Sequence, residues 1–229
     1  MTQGHRTDVK AVTQMVLDGK SNKEIAITLP DEFLRMHAGI QKTRQVLEGS
    51  GVERKDLKVI CLWGAPGAGK TSLAKKLAAA EAKKRNCGVY FRTMDHNWMD
   101  GYDGEEIMIL EEIGSGENSD FSFKELLLLL GPHPYMMKVK GSARACKARL
   151  IYMTSNVHPK NWYAQNPYNQ GQLKWRIHEI RKVIKSDGVA EADWNERDSY
   201  EVDHSTNAVR EVPVPAPPVD PPGIWINRN

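Results

Sequence analysis

The stretch Trp63–Leu77, WGAPGAGKTSLAKKL, decides the reading of the fold. Gly64, Gly69, Lys70 and Thr71 satisfy G-x-x-x-x-G-K-[ST], in which glycines let successive backbone N–H groups converge on an anion and the following helix aims its positive end at it. A short pattern of this kind carries weight only in the right surroundings. An apolar strand over Leu57–Trp63 enters the loop and an amphipathic helix over Thr71–Lys84 leaves it, so both flanks are present. The loop Gly64, Ala65, Pro66, Gly67, Ala68, Gly69, Lys70, Thr71 and Ser72 is therefore expected to wrap the phosphates of a nucleoside triphosphate. Lys70 would reach the β and γ phosphates, and the Thr71 hydroxyl would ligate Mg²⁺.

Working outward, residues 55–190 alternate strands with helices. Gly88–Arg92 and Glu106–Leu110 read as strands, Ser122 as the cap of a helix FKELLLLL, Tyr135–Lys140 and Arg149–Met153 as strands, and Gly171–Ile184 as a last helix. This alternation predicts an α/β fold with a mostly parallel sheet covered on both faces. Upstream, residues 7–48 read as three short helices: Thr7 can cap the first, Ser21 and Glu24 form a capping-box signature for the second, and Gly49 closes the third. Six of the ten residues from Pro213 to Pro222 are proline, which excludes helix and sheet there. The expected division is 1–50 as a helical oligomerisation domain, 51–190 as the P-loop ATPase domain, and 191–229 as a disordered proline-rich tail.

A P-loop enzyme needs carboxylates at the end of a neighbouring strand. The run IMIL delivers Glu111 and Glu112 to the sheet's carboxyl edge, where ligands gather in open α/β folds. One, taken as Glu111, would join Thr71 in the Mg²⁺ shell; the other would accept a proton from the attacking water or orient it. The strand RLIYMTSN runs out into Asn156, whose neutral amide can hydrogen-bond the γ phosphate and the lytic water without adding charge.

Composition sets the outer bounds. Lys and Arg number 32 against 29 Asp and Glu, so the net charge of +3 identifies no partner. Three cysteines without a C-x-x-C pair argue against a disulfide framework and a zinc site. The N-terminus lacks the apolar core of a signal peptide and no stretch approaches a membrane span, so the expectation is a soluble intracellular protein with no membrane partner. Local charge is more telling: between Met136 and Arg149 lie Lys138, Lys140, Arg144, Lys147 and Arg149 with no acidic residue, and Gly141 allows a hairpin turn. Such a loop suits a phosphate backbone without reading bases.

Several stretches in order resemble the replication initiator (Rep) proteins of circular single-stranded DNA viruses, in particular their superfamily 3 helicase domain. GAPGAGKTS is similar to the Walker A loop, WMDGYDGEEIMILEEI to the lead into Walker B, and MMKVKGSARACKARLIYMTSN to the B′ segment followed by motif C. HPKNWY and QLKWRI resemble the segments after it, and DGKSNKEIAITLPDEFLRMHAGIQK the helical linker before it. The resemblance implies an AAA+-like, ring-forming ATP-dependent DNA helicase, a viral DNA-replication hydrolase working as a hexamer on single-stranded DNA in the host nucleus. It implies that Lys138, Lys140 and Gly141 face the DNA in a central channel, with Arg144 and Lys147 as weaker candidates. It also implies that Arg176 acts as an arginine finger on a neighbour's nucleotide. Two departures stand out. Glu111 and Glu112 replace the usual Asp-Asp, and the family's N-terminal nicking domain has no counterpart here, which implies an upstream domain in a longer protein or a relative without one. The competing readings are a P-loop small-molecule or nucleoside kinase, and a scaffold that assembles on DNA with ATP but does not hydrolyse it.

Overall fold

A computed structural model describes residues 7–92, 98–114, 121–163, 167–185, 198–203 and 208–212. Three helices open the chain: α1 (Thr7–Leu17), α2 (Asn22–Thr28) and α3 (Pro30–Glu48). The Ser21–Glu24 capping box forms as expected, the Ser21 hydroxyl accepting from the Glu24 N–H while the Glu24 carboxylate takes the Ser21 N–H, so two donors left over at the start of α2 are satisfied locally. Val12, Val16, Ile25 and Ile40 bury a small core of their own. Four buried side chains are little for independent stability, and the bundle leans on the rest of the molecule through α3.

The α/β core follows: β1 (Lys58–Trp63), α4 (Lys70–Arg85), β2 (Val89–Phe91), β3 (Ile107–Leu110), α5 (Phe123–Leu129), β4 (Met136–Val139), β5 (Ser142–Ala145), β6 (Leu150–Ser155), α6 (Pro167–Lys174), β7 (Glu179–Lys185), β8 (Asp198–Asp203) and β9 (Ala208–Val212). The sheet order is β2-β3-β6-β1-β7-β8-β9, parallel throughout except for β9. The continuous apolar runs of β1, β3 and β6 are explained by this arrangement, because a central parallel strand is covered on both faces and has no solvent side to alternate with. On one face, Leu73, Ala74 and Ala78 of α4 pack on Ile60, Leu62, Ile107, Ile109 and Tyr152. On the other, Leu126, Leu129 and Leu130 join Met108, Leu110, Ile151, Met153 and the buried Trp162. The fold is thus α/β with a P-loop core and leading helices, as expected.

Two segments depart from the sequence reading. The helix expected over Gly171–Ile184 ends at Lys174, and Glu179–Lys185 is instead the strand β7, in register with β1 from Ile60 opposite Glu179 to Trp63 opposite Lys182. The free edge of β1 offers a row of backbone donors and acceptors, and Ile180, Val183 and Ile184 suit a strand as well as a helix, so tertiary pairing overrode propensity. Residues 198–203 and 208–212, assigned above to a disordered tail, extend the sheet as β8 and β9 and cover the exposed edge of β7. The proline run from Pro213 lies outside the described residues.

Candidate functional site

The P-loop sits where β1 stops and α4 begins. Gly64 has to be glycine: its N–H donates to the Ser155 carbonyl (3.2 Å), and a Cβ added there would collide with the Val183 carbonyl of β7. The strand that the sequence reading took for a helix therefore helps mould the loop. At the other end Gly69, at φ +90°, is the N-cap of α4; no side chain caps the helix and its first turn holds no acidic residue, which suits an incoming anion at that end. The Lys70 ammonium is buried and held by three acceptors: the carbonyls of Gly64 (3.0 Å) and Ala65 (2.8 Å) and the Asn156 Oδ1 (2.8 Å). Burial pulls its pKa below the ordinary lysine value, and the Glu112 carboxylate pushes the other way.

Glu112 is the more informative of the two glutamates. Glu111 follows β3 half-buried, whereas Glu112 is exposed and sits in the left-handed region at φ +53°. A non-glycine residue is held there only by its surroundings. Its N–H donates to the Thr154 Oγ1 (3.1 Å), and the next N–H, of Ile113, donates to the Thr154 carbonyl (2.9 Å). The following glycine, Gly114, faces the Trp162 ring, with which any Cβ would collide. Trp162 in turn donates its indole N–H to Ser155 Oγ (3.2 Å) and the Val157 carbonyl (2.9 Å), fixing the turn after β6. Lys70, Glu112 and Asn156 are thereby brought to one edge of the sheet. Thr71 lies in the first turn of α4, half-buried. Among the described residues no three His, Cys, Asp or Glu side chains cluster for a metal. The donor set of one hydroxyl and strand-end carboxylates nevertheless fits Mg²⁺, which takes few protein oxygens and completes its octahedron with phosphates and water.

The basic segment forms the expected hairpin, β4 against β5, with Lys140 and Gly141 at its tip. Lys138 and Lys140 are exposed, but each meets a carboxylate of the same chain: Lys138 Nζ lies 2.7 Å from Glu125 Oε1, and Lys140 Nζ 3.7 Å from Asp100 Oδ2. Lys138 above all, with the Ser122 cap, holds the Glu125 carboxyl down to about 2 against its partial burial. Arg144 is no DNA-facing residue here. It is buried, paired with Glu48 at the end of α3 (3.1 Å) and with Asp103 (3.0 Å), while Lys147 meets the same Glu48 (3.3 Å). Its distance from Glu48 along the chain hid this role, since a buried arginine and a solvated one look alike in sequence. The loop carrying Trp98, Asp100, Tyr102 and Gly104 shapes the hairpin: Met99 N–H donates to the Lys138 carbonyl (2.9 Å), Lys140 N–H to Asp100 (2.6 Å) and Lys147 N–H to the Tyr102 hydroxyl (2.8 Å).

Arg176 stands just past α6, beside the exposed Trp175, and donates to the carbonyls of Leu127 (3.1 Å) and Gln172 (3.0 Å). It does not bond the P-loop of its own chain in any described contact. A lysine the sequence reading passed over, Lys182, lies over the Trp63 ring (5.1 Å) next to Gly64; only the pairing of β7 with β1 puts it there. A cleft of about 780 Å³ lies away from the P-loop, between the N-terminal helices and the loop at 100–105. The glycine-rich loop itself is open, with Ala65, Pro66 and Gly67 exposed, and offers an anion backbone donors rather than an enclosed cavity.

Comparison with protein families matches residues 60–157, the span from the middle of β1 to just past Asn156, to the family described as RNA helicase. The chain is also 29% identical over 163 residues to the replication-associated protein of beak and feather disease virus, covering 71% of this chain and 51% of that protein. This chain is similar in sequence to the viral replication-associated (Rep) proteins. The Rep-like region reaches further in the goose circovirus protein, 25% identical over 190 residues covering 83% of this chain and 60% of that one. A kieseladnavirus replication-associated protein is 31% identical over 135 residues, covering 56% and 28% respectively. The chain spans about half the length of most of the viral relatives it matches. No helix among its described residues is long and apolar enough to cross a membrane.

Proposed function

We propose that this chain is an ATP-dependent DNA helicase unit of a rolling-circle replication initiator, assembling as a ring, with a hexamer as the expected number, and moving along single-stranded DNA. The observation that carries the reading is the convergence of Lys70, Asn156 and Glu112 at the carboxyl edge of the parallel sheet, around the uncapped N-terminus of α4. Glycines 64–69 and Thr71–Ser72 would cradle the triphosphate, and Lys70 would exchange its loop carbonyls for phosphate oxygens. Mg²⁺, held through Thr71 and Glu111, would neutralise charge on the β and γ oxygens. Glu112, exposed and in the field of Lys70, is the carboxylate that takes the proton of the attacking water, while Asn156 orients that water and reports the γ phosphate to β6.

The hairpin bearing Lys138, Lys140 and Gly141 is the proposed DNA contact, and residues 1–50 the oligomerisation collar of an ATPase unit spanning 51–190. Arg176 would reach a neighbour's nucleotide, and an upstream nicking domain would complete the initiator. Phosphate release measured with and without single-stranded DNA tests the reading. Wild-type protein should hydrolyse ATP faster with DNA, and Lys70→Ala should be inactive with an unchanged melting temperature. Turnover in Lys70→Ala, or DNA-independent phosphorylation of a small acceptor by the wild type, would replace this reading with the scaffold or the kinase.

A further inference from the structure

Lys70 and Asn156 account for one end of the TSN triplet at residues 154–156, and Ser155 is absorbed by the turn it shares with Val157 and Trp162. Thr154 has no such explanation in the reading above, yet it is buried and uses both its oxygens on one short segment. Its hydroxyl oxygen accepts from the Glu112 N–H (3.1 Å) and its carbonyl from the Ile113 N–H (2.9 Å). Glu112 is one of three non-glycine residues with positive φ among the described residues. Its neighbours β3 and β6 are paired only as far as Leu110 opposite Met153, so beyond that rung the ladder hands over to the Thr154 side chain.

We infer that Thr154 is a positioning residue for the hydrolytic carboxylate: its hydroxyl pins the left-handed backbone of Glu112 and so turns that side chain toward the phosphate loop. The role rests on the proposed hydrolysis of ATP. The physical reason is selection between conformers. An exposed glutamate after a strand would otherwise relax into the β or right-handed region, which for a residue with a Cβ is the lower-energy choice, and its carboxylate would leave the edge facing Lys70. A hydroxyl that accepts a backbone N–H offsets that preference, and it does so from the same strand end that carries Asn156. Lys70 bonded to Asn156 and Glu112 bonded to Thr154 are thus both anchored at the carboxyl end of β6, two residues apart.

The test compares Thr154→Val, which keeps the shape and loses the acceptor, with Thr154→Ser, which keeps the acceptor. Two readouts are taken on the intact chain: amide hydrogen exchange at Glu112 and steady-state ATP turnover, with binding of a fluorescent ATP analogue and thermal melting alongside. Thr154→Val should speed exchange at the Glu112 amide by roughly ten- to a hundredfold and lower kcat by a similar factor, with analogue affinity unchanged; Thr154→Ser should restore both. Unchanged exchange in Thr154→Val overturns the inference, and so does faster exchange with wild-type kcat. A fall in kcat that Thr154→Ser fails to restore overturns it as well, since it marks a merely structural loss. If the wild-type chain releases no phosphate at all, the hydrolysis reading fails, and the hydrolytic role of Thr154 with it. The exchange result would still show separately whether the hydroxyl holds Glu112.

Discussion

Arg144→Met should destabilise the protein by about 3 kcal/mol although the side chain is far from the P-loop. The guanidinium is 1% exposed and its partner Glu48 8% exposed. Arg144 meets both Glu48 oxygens (3.1–3.3 Å) and Asp103 (3.0 Å), and the Ala145 N–H donates to the same Glu48 carboxylate (2.8 Å). Breaking a buried ion pair from one side costs about 3–5 kcal/mol, because the remaining charge is left in a poor solvent. Lys147 stays beside Glu48 after the change, which places the expectation at the lower end. With a urea slope of about 3 kcal/mol/M for a chain of this size, the midpoint should fall by about 1 M. Glu48→Leu combined with Arg144→Met should cost less than the two single changes together by about 2 kcal/mol, since the double variant strands no charge across the pair. The pair also carries a pH signature. Burial raises the Glu48 pKa, but Arg144, the Ala145 N–H and Lys147 outweigh it and leave the group below 4.5. A carboxyl depressed in the folded state stabilises above its unfolded pKa and loses that contribution as pH falls through the folded one, so this share should disappear on acidification below about pH 4.5 in the wild type. A cost under 1 kcal/mol for Arg144→Met, or strict additivity in the cycle, would refute the idea that this clamp joins the N-terminal helices to the hairpin.

Further expectations are as direct. Neutralising Lys138 and Lys140 together should reduce the slope of log affinity against log salt for single-stranded DNA by up to about 1.4, and an unchanged slope would remove the hairpin from the DNA path. The Glu125 carboxyl, held at about 2 chiefly by Lys138, should contribute stability above pH 4.5 that declines as pH falls toward 2; in Glu125→Gln that part of the acid titration should be absent from melting curves. Arg176→Ala should lower turnover by about 10³-fold or more. Because Arg176 is tied to Leu127 and Gln172 of its own chain, mixing Arg176→Ala with Lys70→Ala subunits should recover activity that neither has alone. A mixture that stays inactive would refute action in trans.

The glycine-rich loop between β1 and α4, its two flanks, and the position of Glu111, Glu112 and Asn156 at strand ends were legible because each is a local matter. Glycine spacing, an apolar run and a capping box are written within a few residues of where they act. The α/β class followed from the same alternation. What stayed hidden depended on partners distant in the chain. Glu179–Lys185 became a strand because β1 had an unpaired edge, and only that pairing set the Val183 carbonyl against Gly64 and Lys182 over Trp63. Arg144, one basic residue among five in sequence, was withdrawn from solvent by a glutamate 96 positions earlier. Nothing in the triplet at 154–156 distinguishes a helix cap from a hydroxyl that grips Glu112, 42 residues away. Local sequence sets which backbone conformations and charges are on offer; only closure of the sheet decides which buried donor must find which acceptor, because that cost arises only once water has been excluded.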